Sequence, residues 1–178
     1  RVYSFSGIRF PEGKREMVYA RLARRLRSLG IGSFDDYVRF LQLEPAEWEH
    51  CTNALTTNVT AFYREAHHFG ILAELAQASV HSDPFRVWSA GCSTGEEPYT
   101  IAMTLCEAIQ EPGVDAKILA TDISTKVLRT CREGIYPQAK MNGVSSELRQ
   151  RYFDRCTEDG QACYAVRPRL AEMVTFGR

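Results

Sequence analysis

The chain lacks the features that would point to a nucleic acid or a membrane. Its 22 basic and 22 acidic residues balance to a formal net charge of zero, which gives no support to a nucleic-acid partner. No apolar run approaches the roughly 18 residues that a membrane span requires, and the first residues show no apolar stretch typical of a signal peptide. We therefore expect a cytoplasmic protein that does not insert into a membrane.

The cysteines lack the spacings that bind metals. None of them forms a C-x-x-C pair or a cluster with histidine, so no metal site is predicted. An even number of cysteines is compatible with disulfides, but without a secretory signal we expect six reduced thiols. They are Cys51, Cys92, Cys106, Cys131, Cys156 and Cys163.

Common nucleotide motifs are also missing from residues 85–99, where a short apolar strand opens through glycines into a helix. No lysine follows Gly95, which excludes a P-loop, and the G-x-G-x-x-G fingerprint is absent. Gly91-Cys-Ser93-Thr-Gly95 does match the G-x-S-x-G turn of α/β-hydrolases. That fold places its catalytic histidine after the serine, whereas every histidine of this chain precedes Ser93. We therefore discard the hydrolase interpretation.

Helical periodicity predicts three short helices in residues 1–57. The first is Lys14–Leu29 with Gly30 as its cap, the second follows the capping residue Ser33, and the third follows Pro45. The first helix also has a basic face, which suits either a solvated surface or a docking surface for an acidic partner. Its arginines are Arg15, Arg21, Arg24, Arg25 and Arg27.

Residues 85–134 alternate between strand and helix, which predicts a parallel α/β sheet. The first helix of this region is expected to reach about Gln110, and Pro112-Gly113 is expected to form the turn before a strand that ends at Asp122. Because crossover connections are right-handed, the glycine turn and Asp122 should lie side by side at one edge of the sheet.

The pattern changes after Pro137. It predicts a short helix over 145–153, an exposed antiparallel strand over 161–167 and a third parallel strand over 173–176. A three-stranded parallel sheet needs cover on both faces, so we expect exposed apolar sheet surface and a chain that is part of a longer fold.

The acidic residues next to the turn indicate the kind of ligand. Glu96 and Glu97 would repel a pyrophosphate but suit a cation, and Asp122 is placed to accept hydrogen bonds from a ribose diol. A ribose with a positive charge and no phosphate describes S-adenosylmethionine. In the alternative interpretation, the two glutamates are ordinary first-turn acids and Asp122 is a helix cap.

Two long segments resemble the CheR-type chemoreceptor glutamate methyltransferases. They are Thr-Thr-Asn-Val-Thr-Ala-Phe-Tyr-Arg-Glu-Ala-His-His-Phe at 56–69 and Trp-Ser-Ala-Gly-Cys-Ser-Thr-Gly-Glu-Glu-Pro-Tyr-Thr-Ile-Ala at 88–102, supported by 120–124 and 134–136. The resemblance implies an N-terminal helical domain over 1–57. It also implies an incomplete Rossmann-like class I methyltransferase domain over 58–178, with an antiparallel β subdomain inserted at about 138–170.

The resemblance also implies which residues contact S-adenosylmethionine. They come from the loop, the start of the helix after the glycine turn and the end of the second strand: Asn58, Thr60, Arg64, Glu97 and Asp122. Gly91 is a further predicted cofactor contact, because the glycine turn lets the backbone approach a ligand. Arg21, Arg24 and Arg25 on the basic helix would face the acidic cytoplasmic helices of a chemoreceptor. His67 and His68 are interpreted as ordinary core or surface histidines. Neither the oligomeric state nor the identity of the receptor follows from these residues.

The implied reaction is methyl transfer to receptor glutamates, with S-adenosylhomocysteine as the product. A carboxylate is a competent nucleophile toward a sulfonium methyl, so we assign no catalytic acid or base and interpret Arg64 as a cofactor contact. The family continues beyond the third strand, so we expect this chain alone to be inactive. The alternative is a non-catalytic module that binds cofactor or receptor.

Overall fold

The computed structural model describes residues 2–79, 84–109 and 115–178. These residues form two compact units. The first consists of the chain up to Thr57 together with the short segment Ile123–Thr125, and the second consists of Asn58–Asp122 and Lys126–Arg178. The predicted helix end near Gln110 and the turn at Pro112-Gly113 lie outside the described residues.

The first unit is helical. Its helices are α1 (Val2–Ser6), α2 (Arg15–Leu29), α3 (Phe34–Leu43) and α4 (Glu47–Leu55), of which α1 was not predicted. As predicted, α2 ends at Gly30 in the left-handed conformation with φ +69°, and the Ser33 hydroxyl accepts a hydrogen bond from Asp36 N at the start of α3. Apolar side chains on one face of each helix meet in a small core of Leu22, Leu26, Tyr37, Leu41, Cys51 and Leu55.

The chain from His67 onward alternates helices and strands. The helices are α5 (His67–Ser79), α6 (Glu96–Ala108), α7 (Thr125–Glu133), α8 (Ser146–Tyr152) and α9 (Pro168–Ala171). The strands are β1 (Phe85–Ala90), β2 (Ala116–Thr121), β3 (Ile135–Pro137), β4 (Phe153–Glu158), β5 (Gln161–Val166) and β6 (Val174–Gly177). No helix of the described ranges combines the length and the apolar character needed to cross a membrane.

Strands β1, β2 and β6 form the predicted parallel sheet in the order β1-β2-β6. Alternate residues of β2, such as Ile118 and Ala120, are buried in the hydrophobic core of the second unit, which also contains the apolar side chains of α6. The opposite face carries Trp88, 67% exposed, beside Leu119, 46% exposed. The expected exposed apolar sheet surface is therefore present.

A second, antiparallel sheet has the order β3-β5-β4. On it Cys156 of β4 lies opposite Cys163 of β5, and the two are joined by a disulfide. The prediction of six reduced thiols is therefore wrong for this pair, because strand register brings together two cysteines that are seven positions apart in sequence. The other four cysteines are free thiols.

Candidate cofactor site

The glycine turn after β1 is attached to the end of β2. The backbone N–H groups of Gly91 and Cys92 donate to the carbonyl of Thr121 at 2.8 and 2.9 Å. The backbone N–H of Ser93 donates to Oδ2 of Asp122 at 2.9 Å. The prediction that the turn and Asp122 lie side by side is confirmed, and the bond from Ser93 fixes the orientation of the Asp122 carboxylate.

The two glycines of the turn serve different purposes. Both have positive φ, +81° at Gly91 and +95° at Gly95, which a residue with a side chain adopts only with strain. A Cβ at Gly95 would lie 2.6 Å from the hydroxyl of Tyr136, so this glycine permits close packing. A Cβ at Gly91 would meet nothing within 4 Å. The backbone at Gly91 therefore borders open space that a ligand can occupy.

The neighbours Glu96 and Glu97 lie in opposite environments at the start of α6. Glu96 is fully buried, and its carboxylate accepts hydrogen bonds from Lys140 Nζ at 2.5 Å and from the Thr94 hydroxyl at 2.6 Å. Glu97 is exposed, and its Oε1 accepts a hydrogen bond from Ser89 Oγ at 2.6 Å. Only Glu97 thus presents its carboxylate at the surface of the site.

The loop that carries Arg64 is strained and folded onto itself. Arg64 NH1 donates to the carbonyl of Val59 at 2.8 Å, and Tyr63 N donates to Thr100 Oγ1 on α6 at 3.2 Å. Tyr63 and Glu65, the residues on both sides of Arg64, have φ of +55° and +56°. Side chains rarely adopt this conformation, and such strain concentrates at functional sites. The hydrogen bond to Val59 orients the exposed Arg64 guanidinium.

A cavity of about 370 Å³ brings Arg64 and Glu97 together. Glu65 and His68 also line it, with an apolar wall from Phe69, Leu72 and Ile101. His68 is exposed, in agreement with its interpretation as an ordinary surface histidine, but its position beside Glu97 at this cavity was not predicted. The other predicted contacts, Asn58, Thr60, Gly91 and Asp122, are not among the residues that line this cavity.

Ser93 does not have the surroundings of a hydrolase nucleophile. Its hydroxyl is buried and has no hydrogen-bond partner among the residues that the structure describes. The carbonyl of Ser93 instead accepts from the Cys131 thiol at 3.0 Å. The hydrogen bond between the thiols of Cys92 and Cys131 lowers the pKa of Cys92 and raises the pKa of Cys131. Ser93 therefore has a structural role in the turn.

The three arginines predicted to face a receptor have different environments. Arg21 donates to the carbonyls of Leu55 and Thr56 at 2.6 and 3.1 Å, which satisfies the C-terminal end of α4. Arg25 forms a two-pronged ion pair with the buried Glu47. Arg24 is exposed and forms no hydrogen bond or ion pair with any described residue. Arg21 and Arg25 therefore stabilise the helical unit itself.

Comparison with known proteins relates both units to one family. The all-alpha domain of CheR methyltransferases matches residues 1–56, and the SAM binding domain of CheR methyltransferases matches residues 58–178. The chain belongs to the CheR methyltransferase family. The matched second domain is one that binds S-adenosylmethionine.

Members of the family from several bacteria are similar to almost all of this chain. Chemotaxis protein methyltransferase 2 of Pseudomonas aeruginosa is 45% identical over 99% of it, and the chemotaxis protein methyltransferase of Salmonella typhimurium is 48% identical over 98%. That of Escherichia coli is 45% identical over 98%. The chain spans 61 to 63% of the length of these three CheR relatives.

The residues present fit the cofactor of a CheR domain. Gly91 leaves open space beside the backbone, and Glu97 and Arg64 supply opposite charges at one cavity. Opposite charges match the ammonium and carboxylate groups at the amino-acid end of S-adenosylmethionine. A carboxylate with two acceptor oxygens, as at Asp122, suits a ribose diol.

Proposed function

We propose that the natural full-length protein transfers a methyl group from S-adenosylmethionine to glutamate side chains of bacterial chemoreceptors. The observation that supports this most directly is the shared cavity of Arg64 and Glu97, beside a glycine turn that is bonded to Asp122. The family membership and the chemotaxis names of the relatives support the same reaction and a cytoplasmic location.

Each residue of the site has a separate task in this proposal. Glu97 binds the ammonium group of the cofactor, and the Ser89 hydroxyl fixes the position of that carboxylate. Arg64 binds the cofactor carboxylate, because a guanidinium stays protonated and pairs with carboxylates through two parallel hydrogen bonds. Asp122 accepts from the ribose hydroxyls while Ser93 N–H holds its other side. Asn58 and Thr60 add neutral donors from the loop.

The bound cofactor supplies a methyl group on a positively charged sulfur. The chain contributes by holding that group in line with the glutamate acceptor and by keeping water away, and the apolar wall of Phe69, Leu72 and Ile101 suits the second task. A glutamate carboxylate is already ionised at neutral pH, so no residue needs to remove a proton. The products are a glutamate methyl ester and S-adenosylhomocysteine.

The receptor surface in this proposal is the basic face of α2. Arg24 is exposed and offers an unpaired guanidinium among the described residues, with exposed Arg27 one turn away. Arg21 and Arg25 are engaged in internal contacts, so they support this face more than they contact a partner. Acidic receptor helices suit such a face by charge.

Labelling with tritiated S-adenosylmethionine tests the proposal. The natural full-length protein is incubated with receptor-containing membranes. Base is then added to hydrolyse methyl esters, and the tritiated methanol is counted, since only a methyl ester releases it. We expect labelling by the full-length protein and a loss of about tenfold or more in Asp122→Asn, because a charge-assisted hydrogen bond is weakened. Asp159→Asn, an exposed turn position with φ +48°, is the matched control and should be unchanged.

Two outcomes separate the alternatives. If the full-length protein binds S-adenosylhomocysteine but labels no receptor, it is a cofactor-binding module without turnover. We also propose that the 178-residue chain alone, which spans 61 to 63% of the length of three relatives, is inactive, and strong labelling by it would contradict this proposal.

A further inference from the structure

The glycine turn and helix α7 bring two free thiols together. Cys92 lies in the turn and Cys131 lies on α7, and their side chains are buried, with 1% and 0% exposed. The Cys131 thiol donates to the carbonyl of Ser93 at 3.0 Å, and Cys92 Sγ lies 4.0 Å from the same oxygen. A hydrogen bond also joins the two thiols. The proposed methyl transfer makes no use of either sulfur.

The position of Cys131 against the turn is fixed by its neighbours. The Tyr99 hydroxyl donates to the carbonyl of Cys131 at 2.8 Å. A Cβ at Gly95 would lie 3.2 Å from Cys131 Sγ, so the missing side chain of this glycine leaves room for the sulfur. Helix α7 therefore presents one thiol to the other in a defined arrangement.

Cys92 is adjacent to the proposed cofactor contacts. It follows Gly91, beside which the space is open, and it precedes Ser93, whose backbone N–H donates to Asp122. The carboxylates of Asp122 and Glu97 are close enough to act electrostatically on the Cys92 thiol. A displacement of Cys92 would therefore alter the backbone that orients Asp122.

The two thiols differ in acidity. The hydrogen bond from Cys131 lowers the pKa of Cys92, whereas the same bond and burial raise the pKa of Cys131. Cys92 is therefore the thiol of the pair that loses its proton first. Because the thiolate is the nucleophile in disulfide chemistry, Cys92 is the sulfur that reacts first with an oxidant.

We propose that Cys92 and Cys131 form a reversible disulfide that lowers the affinity of the cofactor site for S-adenosylmethionine. Its effect on affinity rests on the function proposed above. The oxidant is a peroxide. The Cys92 thiolate attacks one peroxide oxygen, the O–O bond breaks, and a sulfenic acid and water form. The Cys131 thiol then attacks the Cys92 sulfur and a second water leaves, so two thiols and one hydrogen peroxide give one disulfide and two waters.

The disulfide would change the turn in two ways. A covalent S–S bond is shorter than a hydrogen bond between thiols, so Cys92 must move toward α7. Cys131 also loses the proton that it donates to the Ser93 carbonyl. Both changes act at Ser93, whose N–H orients the Asp122 carboxylate. A thiol reductant restores the two thiols and with them the original turn.

Peptide mapping and calorimetry on the natural full-length protein test this proposal. After hydrogen peroxide treatment and tryptic digestion without reductant, we expect the peptides 87–117 and 130–132 to be linked. Fragment ions should place the link at Cys92, since the first peptide also contains Cys106. The Kd for S-adenosylhomocysteine should rise about tenfold on oxidation and return to its original value with dithiothreitol.

Two variants serve as comparisons. Cys131→Ser keeps a hydroxyl donor for the Ser93 carbonyl but cannot form the bond, so its Kd should not respond to peroxide. It retains the disulfide of Cys156 and Cys163, which separates the effect of that bond from the effect proposed here. Cys106→Ser removes a partly buried free thiol of α6 and should respond like the parent.

The outcomes also separate this proposal from the proposed function. The proposal is wrong if the linked peptide does not form, if oxidation leaves the Kd unchanged, or if Cys131→Ser responds as strongly as the parent. If the reduced protein does not bind S-adenosylhomocysteine, the proposed function fails and the control of affinity fails with it. Peptide mapping reports on the disulfide in either case.

Discussion

The fully buried carboxylate of Glu96 accepts a hydrogen bond from Lys140 Nζ at 2.5 Å, across 44 positions of sequence. Lys140 belongs to a short 3-10 helix, Gln138–Gly143, and it reaches the glycine turn from outside the parallel sheet. The pair therefore attaches the turn to a distant segment. Glu97, the residue that follows Glu96, lines the cavity instead.

Lys140→Met removes the cation that pairs with Glu96. We expect the free energy of unfolding to fall by about 2 kcal/mol, because a buried carboxylate is left without its counter-ion. The loss is moderated because Lys140 is 45% exposed, so water already screens the pair. Urea denaturation measures it. Lys126→Met, at an exposed position of α7, is the control, and an equal loss there would rule out a special role for the pair.

Glu97→Gln keeps the size of the side chain but removes the charge at the cavity. If Glu97 binds the ammonium group of the cofactor, the Kd for S-adenosylhomocysteine should rise about tenfold or more in the natural full-length protein. Calorimetry measures this affinity. Glu133→Gln removes an equal charge from an exposed surface pair and should leave the Kd unchanged. An unchanged Kd in Glu97→Gln would exclude the proposed contact.

Gly91→Ala tests the open space at the turn. Gly160→Ala is its matched control, because Gly160 has a similar φ of +76° and a Cβ there also meets nothing within 4 Å. Both changes should cost about 1 kcal/mol of stability through backbone strain. In the full-length protein, only Gly91→Ala should also weaken S-adenosylhomocysteine binding. Equal affinity in the two variants would show that the space beside Gly91 does not hold cofactor.

Glu47 should make the helical unit sensitive to acid. Burial alone would raise the pKa of Glu47, but hydrogen bonds from Arg25 and Tyr37 outweigh it and hold the pKa below the usual 4.5. A carboxyl group with a depressed folded pKa stabilises the protein above its unfolded pKa, and this contribution is lost as the pH falls through the folded value. Stability should therefore decline below about pH 4.5.

The variant Glu47→Gln isolates this contribution. At pH 7 it should be less stable by about 3 kcal/mol, because a buried charged pair is broken, and the difference from the parent should shrink as the pH falls. Thermal unfolding across the pH range measures both. Arg39→Gln breaks an exposed pair and should change stability by less than about 0.5 kcal/mol at any pH. A pH-independent deficit in Glu47→Gln would contradict the assignment.

Cys156→Ser tests the disulfide between β4 and β5. In oxidised protein we expect a loss of about 2 kcal/mol, because the unfolded chain is no longer restrained by the short loop. Under reducing conditions the parent and the variant should have nearly equal stability. Thiol counting in unfolded protein should find four free thiols before reduction, and six would show that the disulfide does not form.

Local patterns in the sequence predicted much of the fold because they act over a few residues. Gly30 ends α2 in the left-handed conformation and Ser33 caps α3, as their side-chain properties require. The parallel strands and the contact between the turn and Asp122 followed from alternating periodicity and right-handed crossovers. The family resemblance, which rests on long motifs, pointed to the same domain.

Tertiary structure alone decided how residues of the same type differ. Glu96 and Glu97 have the same side chain and adjacent positions, but only Glu96 is buried, where it is paired with Lys140 and Thr94. Arg25 forms an ion pair with Glu47, whereas Arg24 is exposed. Cys156 forms a disulfide with Cys163 because the strand register places them opposite each other. Such pairings depend on segments that are distant in sequence, whereas periodicity and capping depend on neighbours. The sequence by itself therefore determined most of the helices and strands and the ligand class, and packing decided which charges face the cavity.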